Sequence, residues 1–243
     1  MAENEIVKHA EAAYKAVKDP ETSWLHKLKE VLIEIFIIVF AVSLSIWFHN
    51  WSDSLHERHE ERDFLQGMKE DIQADLNIVR GDSLFYEHQL RHLHYFQRVA
   101  SGEPLNHDSL KAYMSVFFSY ATPEPHVGRY EGLKGSGKFS IIENAELLNN
   151  IITLHEQTLV HIETLDKYYA DYINRIGNFI QEHSQFNLND STITNARDIL
   201  RMPEMQFQLF NGESVISTSI LRDHDSCIVR CQRLIGQIDK EKE

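Results

Sequence analysis

The 243-residue chain is poor in glycine, proline, cysteine and basic residues. With 10 Gly and 5 Pro, long disordered or low-complexity tracts are not expected. Two cysteines are too few for a disulfide framework. Lysine and arginine number 24 against 37 aspartates and glutamates, which gives a net charge of −13. Because phosphate binding needs a basic surface, this charge argues against a nucleic-acid partner.

What the sequence does contain is a long apolar run from Val31 to Trp51, with Glu34 as its one acidic residue. As an α-helix the run would be about 31 Å long, close to the roughly 30 Å of bilayer hydrocarbon. Trp47 and Trp51 suit the membrane–water interface. The sequence therefore predicts a single-pass signal-anchor helix over residues 27–51. A buried helix of a soluble protein is disfavoured because the run has no polar stripe. A cleaved signal peptide is disfavoured because no Ala-x-Ala-like site follows.

Glu34 lies about one turn inside the start of this predicted span. The free-energy cost of a charged Glu34 at that depth is expected to be below the ~2.5–3.5 kcal/mol of a charge at the membrane centre. Ala41 and Ser45 follow by seven and eleven positions, so all three share one helix face. Small residues on such a face permit close helix approach. We therefore interpret Glu34, Ala41 and Ser45 as candidates for intramembrane association, and we expect a homo-oligomer.

Basic residues are more frequent before the predicted span than after it. The residues concerned are Lys8, Lys15, Lys18, Lys27 and Lys29 before the span, and Arg58, Arg62 and Lys69 after it. The positive-inside rule then predicts a cytoplasmic N-terminus and an external C-terminal domain.

The remaining sequence has a helical pattern nearly throughout. A short amphipathic helix is predicted within residues 1–20, and a charged helical stalk over 52–100 with a break or kink at Gly81–Asp82. Residues 101–243 are predicted to form an antiparallel helical bundle that packs with the stalk. It would contain one long helix near 140–183, a loop at FNLNDSTITN, and later helices interrupted at Met202–Pro203 and Asn211–Gly212. The predicted fold class is all-α.

Three stretches carry a resemblance to a known family: FHNWSDSLHERHEERDFLQGMKEDIQADL after the span, RYEGLKGSGKFSIIENAELLNNII, and the segment from MPEMQFQLFNG to the C-terminus. Together they resemble an uncharacterised family of bacterial single-pass membrane proteins with a helical domain. The resemblance covers most of residues 27–243. It supports the single-pass membrane topology and the helical fold. In a bacterial inner membrane, the orientation predicted from the basic residues would place the C-terminal domain in the periplasm. The resemblance implies no chemistry, because the family carries no known activity.

Fourteen histidines raise the question of a metal site. His88 and His92 share a helix face near His94, but a site needs further ligands, so we interpret them as an exposed polar face. A similar interpretation applies to His56, His59 and Glu60. No metal, cofactor or catalytic residue is predicted.

His155 falls on the apolar stripe of the long helix, and a core histidine hydrogen-bonded across the bundle is favoured over a ligand or catalyst. A ligand pocket lined by His155, or by the cluster Tyr168, Tyr169 and Tyr172, is a weak candidate. Cys227 and Cys231 are interpreted as two small core residues, with an intermolecular disulfide left open.

The glycine-rich stretch GLKGSGK, residues 132–138, fails the phosphate-loop pattern because Phe139 stands where Ser or Thr is required. It is better explained as a tight turn between helices, in which glycine permits positive φ and Phe139, Ile141 and Ile142 reach the core.

The sequence favours a non-enzymatic, membrane-anchored helical protein that acts in self-association or partner binding. The lipid bilayer is the expected partner, and the protein partner is unknown. Two alternatives stay open: a ligand sensor or transport accessory that signals through the membrane helix, and an oligomeric membrane pore or effector.

Overall fold

A computed structural model describes residues 14–15, 24–189 and 191–241, with side chains of the first long helix described from residue 28 onward. These residues are predominantly helical, so the predicted all-α fold class is confirmed. The amphipathic helix predicted within residues 1–20 lies outside the described residues, apart from Tyr14 and Lys15. Contacts between Cα atoms divide the chain into two compact units, Met1–Glu61 and Arg62–Glu243.

Helix α1 spans Trp24–Ala100 and contributes residues to both units. It continues through Gly81 and Asp82, so of the break or kink expected there, the break is wrong. Glycine in a helix interior costs about 1 kcal/mol relative to alanine. Burial of Val79 and Tyr86 on either side of Gly81 offsets that cost.

Short helices follow in the second unit: α2 (His107–Tyr113), a 3₁₀ turn (Met114–Phe117), α3 (Gly128–Ser136) and a 3₁₀ turn (Phe139–Ile141). Gly137 ends α3 with a φ of 68°, in the left-handed region that favours glycine. The predicted glycine turn is therefore confirmed at Gly137, whereas Gly132 and Gly135 lie within the helix. Ile142 is buried beyond the turn, and Phe139 and Ile141 pack partly buried against the core.

The long helix predicted near 140–183 is confirmed over residues 145–183. It consists of α4 (Ala145–Thr153), a π turn (Leu154–Leu159) and α5 (Val160–His183). Asn144 begins it, because its side-chain oxygen accepts hydrogen bonds from the backbone N–H groups of Glu146 and Leu147.

Two very short strands follow, β1 (Phe186–Asn187) and β2 (Thr192–Ile193). They pair antiparallel, with Phe186 opposite Ile193. The sequence analysis assigned this stretch to a loop. A two-residue strand is too short to produce the alternating pattern by which strands are recognised.

The last helices are α6 (Ala196–Arg201), α7 (Pro203–Val215), a π turn (Ile216–Ile220) and α8 (Leu221–Glu241). The predicted break at Met202–Pro203 is confirmed, and Pro203 occupies the first turn of α7, where no N–H partner is needed. The break predicted at Asn211–Gly212 is wrong, because the helix runs on through Gly212. A side chain at that position would collide with Tyr172, so glycine is required by packing and does not terminate the helix.

Three long helical segments enclose the core of the second unit: α1 from residue 62, α4–α5, and α7–α8. Hydrogen bonds from Lys69 to Asp239 and from Gln97 to the Leu209 carbonyl show that α7–α8 runs antiparallel to α1. Bonds from Asn150 to Gln237 and from Tyr172 to the Gln208 carbonyl show the same relation to α4–α5.

The core consists of two hydrophobic clusters. The lower cluster includes residues up to Val79 of α1 and Ile162 of α5, together with Cys227, Cys231, Leu234 and Ile238 of α8. The upper cluster includes residues from Tyr86 of α1 and Tyr169 of α5 onward, together with Met205, Leu209, Ile216 and Ile220. Both cysteines are fully buried and free, as expected of small core residues.

Candidate functional site

The N-terminal part of α1 presents a continuous apolar surface within the first unit. None of the residues in its most apolar stretch is buried. By length and composition, the helix is long and apolar enough to cross a membrane. The exposed large side chains are Leu28, Leu32, Ile33, Ile35, Phe36, Ile37, Val39, Phe40, Val42, Leu44, Ile46, Trp47, Phe48, Trp51 and Leu55.

The residues singled out for intramembrane association lie on this surface. Ala41 and Ser45 are exposed, and Glu34 is partly buried. The Ser45 hydroxyl donates to the carbonyl oxygen of Ala41 at 2.9 Å, so its donor is satisfied within its own helix. The side chains of Ala41 and Ser45 are small, which would allow a second helix to pack closely against them.

The indole rings of Trp47 and Trp51 stack on each other, with centroids 6.3 Å apart and an interplanar angle of 3°. Phe48 contacts both rings edge-on. All three side chains are about half exposed or more. They form an aromatic patch of the kind that partitions to the headgroup level of a bilayer.

A second notable site is a polar layer buried between the two hydrophobic clusters; we define it as Asp82, Tyr86, Asp166, Tyr169 and His224. Tyr86, Asp166, Tyr169 and His224 are each exposed by 2% or less. The Tyr86 hydroxyl donates to Asp166 Oδ1 at 2.5 Å, and His224 Nε2 lies 4.0 Å from the same oxygen. The ring of Tyr86 contacts Tyr169 and His224 edge-on, with centroid distances of 5.2 and 5.5 Å. Three helices thus contribute to one compact polar cluster.

Burial dominates the protonation behaviour of this layer. It raises the pKa of Asp166 to about 7, although the hydrogen bond from Tyr86 acts in the opposite direction. Burial also raises the pKa of Asp82 and of the Tyr86 and Tyr169 hydroxyls, and lowers the pKa of His224. In each case removal from water disfavours the charged form.

Sequence reasoning missed this layer, although a signal was present. Asp166 interrupts the apolar stripe of α5 between Ile162 and Tyr169, and His224 interrupts that of α8 between Ile220 and Cys227. A titratable residue at a core position of an amphipathic helix must be paired or neutral.

The two alternative locations for a ligand pocket lie in different parts of the core; His155, Tyr169 and Tyr172 are buried, whereas Tyr168 is exposed. Tyr169 and Tyr172 pack against each other in the upper cluster, with centroids 5.2 Å apart. His155 lies in the π turn and stacks on Tyr130, which belongs to the lower cluster. The expectation that His155 is a core residue is confirmed. The expected hydrogen bond across the bundle is not, since neither ring nitrogen has a partner among the described residues.

The histidines considered for metal binding have other contacts. His92 stacks on Tyr113 with centroids 4.4 Å apart, and His94 Nε2 lies 3.2 Å from Glu213 Oε1. His56 lies 3.6 Å from Glu60. Within residues 14–15, 24–189 and 191–241, no group of three or more His, Cys, Asp or Glu side chains is arranged to hold a metal ion.

Asp75 is a further buried carboxylate that the sequence analysis did not single out. Its Oδ1 accepts hydrogen bonds from both the backbone N–H of His126 at 2.7 Å and the ring Nδ1 at 2.9 Å. The side chain of Asp75 is only 1% exposed. It therefore ties the irregular segment before α3 to helix α1.

The largest of the described cavities is a surface groove of about 300 Å³. It is lined by Gln97, Ala100, Ser101, Gln206, Leu209, Phe210 and Glu213. Phe210, one of the lining residues, is 64% exposed. The groove lies between α1 and α7, and His155, Tyr169 and Tyr172 are not among its lining residues.

Comparison with protein-family models, with curated proteins and with solved structures gives no match for this chain.

Proposed function

We propose that this chain is a non-enzymatic protein anchored in the bacterial inner membrane by the apolar part of α1. In this proposal the N-terminus is cytoplasmic, and the helical bundle acts in the periplasm in self-association or partner binding. The observation that carries the proposal is the unburied apolar surface of residues 28–51. A surface of that size in water would drive aggregation, whereas a bilayer covers it.

The orientation rests on the lysines that precede the span and is tested by cysteine labelling. The native cysteines, Cys227 and Cys231, are buried, so an introduced exposed thiol dominates labelling of the folded chain. We choose Lys15→Cys and Gln181→Cys, because both positions are exposed. In spheroplasts, a membrane-impermeant maleimide should label Q181C and should label K15C only after permeabilisation. The opposite pattern would overturn the periplasmic assignment.

Anchoring is tested by placing a charge within the apolar surface. Phe40→Arg should reduce the membrane-bound fraction after alkaline extraction, since arginine near the centre of a span costs about 2.5–3.5 kcal/mol. Leu55→Arg is the matched control, because Leu55 is exposed but lies beyond the predicted span. Equal extraction of F40R and L55R would contradict anchoring through this surface.

Self-association is assigned to the face that carries Glu34, Ala41 and Ser45. Ala41→Leu adds bulk where close approach is proposed, and Val42→Leu adds a smaller change on a neighbouring face. Crosslinking in native membranes should show fewer oligomers for A41L and for Glu34→Gln than for V42L. Unchanged oligomers in both A41L and E34Q would remove the contact from this face.

A further inference from the structure

The polar layer occupies the junction of the two hydrophobic clusters. On α1 the lower cluster ends at Val79 and the upper begins at Tyr86; on α5 the corresponding residues are Ile162 and Tyr169. On α8 the order is reversed, with His224 lying between Ile220 and Cys227. Whatever changes the charge of this layer therefore acts on the contact between both halves of the core.

The hydrogen bonding of His224 defines which of its nitrogens can accept. Its Nδ1 lies 2.9 Å from the carbonyl oxygen of Ile220, and a carbonyl can only accept, so Nδ1 carries the hydrogen. In the neutral ring Nε2 is then a hydrogen-bond acceptor. This Nε2 is buried and has no hydrogen-bond partner within the part of the chain that the structure describes.

Asp166 presents a second acceptor to the same space. Its Oδ1 accepts from Tyr86 and lies 4.0 Å from Nε2 of His224. Its Oδ2 is buried, and no described residue hydrogen-bonds to it. Two acceptors thus face each other in a site shielded from water. A single proton on either group converts that acceptor into a donor, so that a donor–acceptor or ion-pair contact at 4.0 Å replaces the meeting of two acceptors.

We propose that Asp166 and His224 share one proton, so that the polar layer is a proton-binding site whose occupancy stabilises the packing of α8 against α1 and α5. The proton resides either on Asp166 or on Nε2 of His224; the number of bound protons is the same in both forms. The site is independent of membrane anchoring.

The electrostatic surroundings support uptake of the proton. From α1, the carboxyl of Asp82 faces Asp166 and raises its pKa further, beyond the effect of burial. From α5, Tyr169 is buried and neutral, and on α8 the side chains of Asp223 and Asp225 favour positive charge on His224. Carboxylates on α1, α5 and α8 therefore favour holding a proton within the layer.

The direction of the pH dependence follows from linkage. The pKa of Asp166 is raised on folding, from 3.8 to about 7. At this carboxyl the folded chain holds a proton that the unfolded carboxyl has lost, and the stability from this group is lost as pH rises through about 7. Below the unfolded value of 6.5, His224 of the unfolded chain binds a proton as well, so the net proton difference for the pair is confined to the pH range around 7. Between about pH 6 and about pH 8 the melting temperature of the wild type should fall.

The test compares the full chain in detergent with two variants. Asp166→Asn keeps an acceptor for Tyr86 and supplies an amide donor for His224, so it imitates the protonated layer. Asp171→Asn is the matched control, because Asp171 lies exposed on the same helix. The melting temperature of D166N should lose its decline across this window, whereas D171N should keep the wild-type profile. Identical profiles for D166N and D171N would overturn the proposal.

A direct measurement on the wild type keeps the proposal falsifiable if D166N does not fold. The carboxyl carbon of Asp166 is followed by NMR in chains labelled at aspartate, and the nitrogens of His224 in chains labelled at histidine. A shared proton predicts one coupled titration near pH 7, seen at both residues. If Asp166 is fully ionised, and Nε2 unprotonated, throughout the range in which the chain is folded, the site does not exist.

Discussion

Replacing Gly212 with alanine should destabilise the bundle, although alanine is the better helix former. An added Cβ would lie 2.7 Å from Cζ and 3.0 Å from Cε1 of Tyr172, and in contact with its hydroxyl oxygen. Tyr172 is 1% exposed, and its hydroxyl donates to the Gln208 carbonyl at 2.9 Å. The ring must therefore move within a packed core and lose its hydrogen bond.

The balance of free energies decides the sign of this effect. Overpacking costs about 1–3 kcal/mol, and the hydrogen bond contributes about 0.5–1.5 kcal/mol. The higher helix propensity of alanine offsets about 1 kcal/mol of this loss. The expected net loss is about 2 kcal/mol, which lowers the melting temperature by roughly 4–8 °C for a chain of this size.

The assay is thermal or urea unfolding of the full chain in detergent, followed by far-UV circular dichroism. Gly236→Ala is the control, since Gly236 lies in the same continuous helix with open space around it. G236A should gain up to about 1 kcal/mol. In a Tyr172→Phe background the cost of G212A should be smaller, because the hydroxyl oxygen is gone. If G212A equals or exceeds the wild type in stability, the packing argument is refuted.

Two further predictions concern the long helix. Asn144→Ala should lower the free energy of unfolding by about 1 kcal/mol, because the backbone N–H groups of Glu146 and Leu147 lose their acceptor. Asn144→Ser keeps an acceptor for them and, like alanine, gives up the amide's hydrogen bond to Glu241, so it should lose less; equal losses in urea titrations would contradict the cap. Burial lowers the pKa of His155, so its contribution to stability is present above the unfolded value of 6.5 and is lost as pH falls below it. His155→Phe preserves the stacking on Tyr130 and should reduce this acid destabilisation, which unfolding at about pH 5 and about pH 7 measures; an undiminished loss in H155F would show that His155 does not cause it.

The helices that could be predicted from the sequence are those with a periodic apolar face. The stripe of residues 145–183 and the Met202–Pro203 break are local patterns, and both are confirmed. Gly81 and Gly212 were misinterpreted as breaks because glycine has low helix propensity. Glycine is required at position 212 because the ring of Tyr172, from another helix, lies against it. The sequence around Gly212 does not show that contact.

The apolar surface and the polar layer also differ in how far the sequence predicts them. The apolar surface of α1 is a property of consecutive residues, so the sequence displays it directly. The polar layer depends on bringing Tyr86, Asp166 and His224 together from three helices, and no single stretch reveals that meeting. The two π turns, Leu154–Leu159 and Ile216–Ile220, are also not predicted from the sequence. A π turn adds a residue to one turn of a helix, and the spacing of apolar residues around it still matches a helix.

The stacked indoles of Trp47 and Trp51 have a spectroscopic consequence. All three tryptophans of the chain lie at positions 24, 47 and 51, within the first unit, whereas every tyrosine except Tyr14 lies in the second. Indole emission therefore reports on the lipid or detergent around the first unit, and tyrosine signals report on the bundle. One sample, excited at two wavelengths, can follow insertion into vesicles and unfolding of the bundle as separate events.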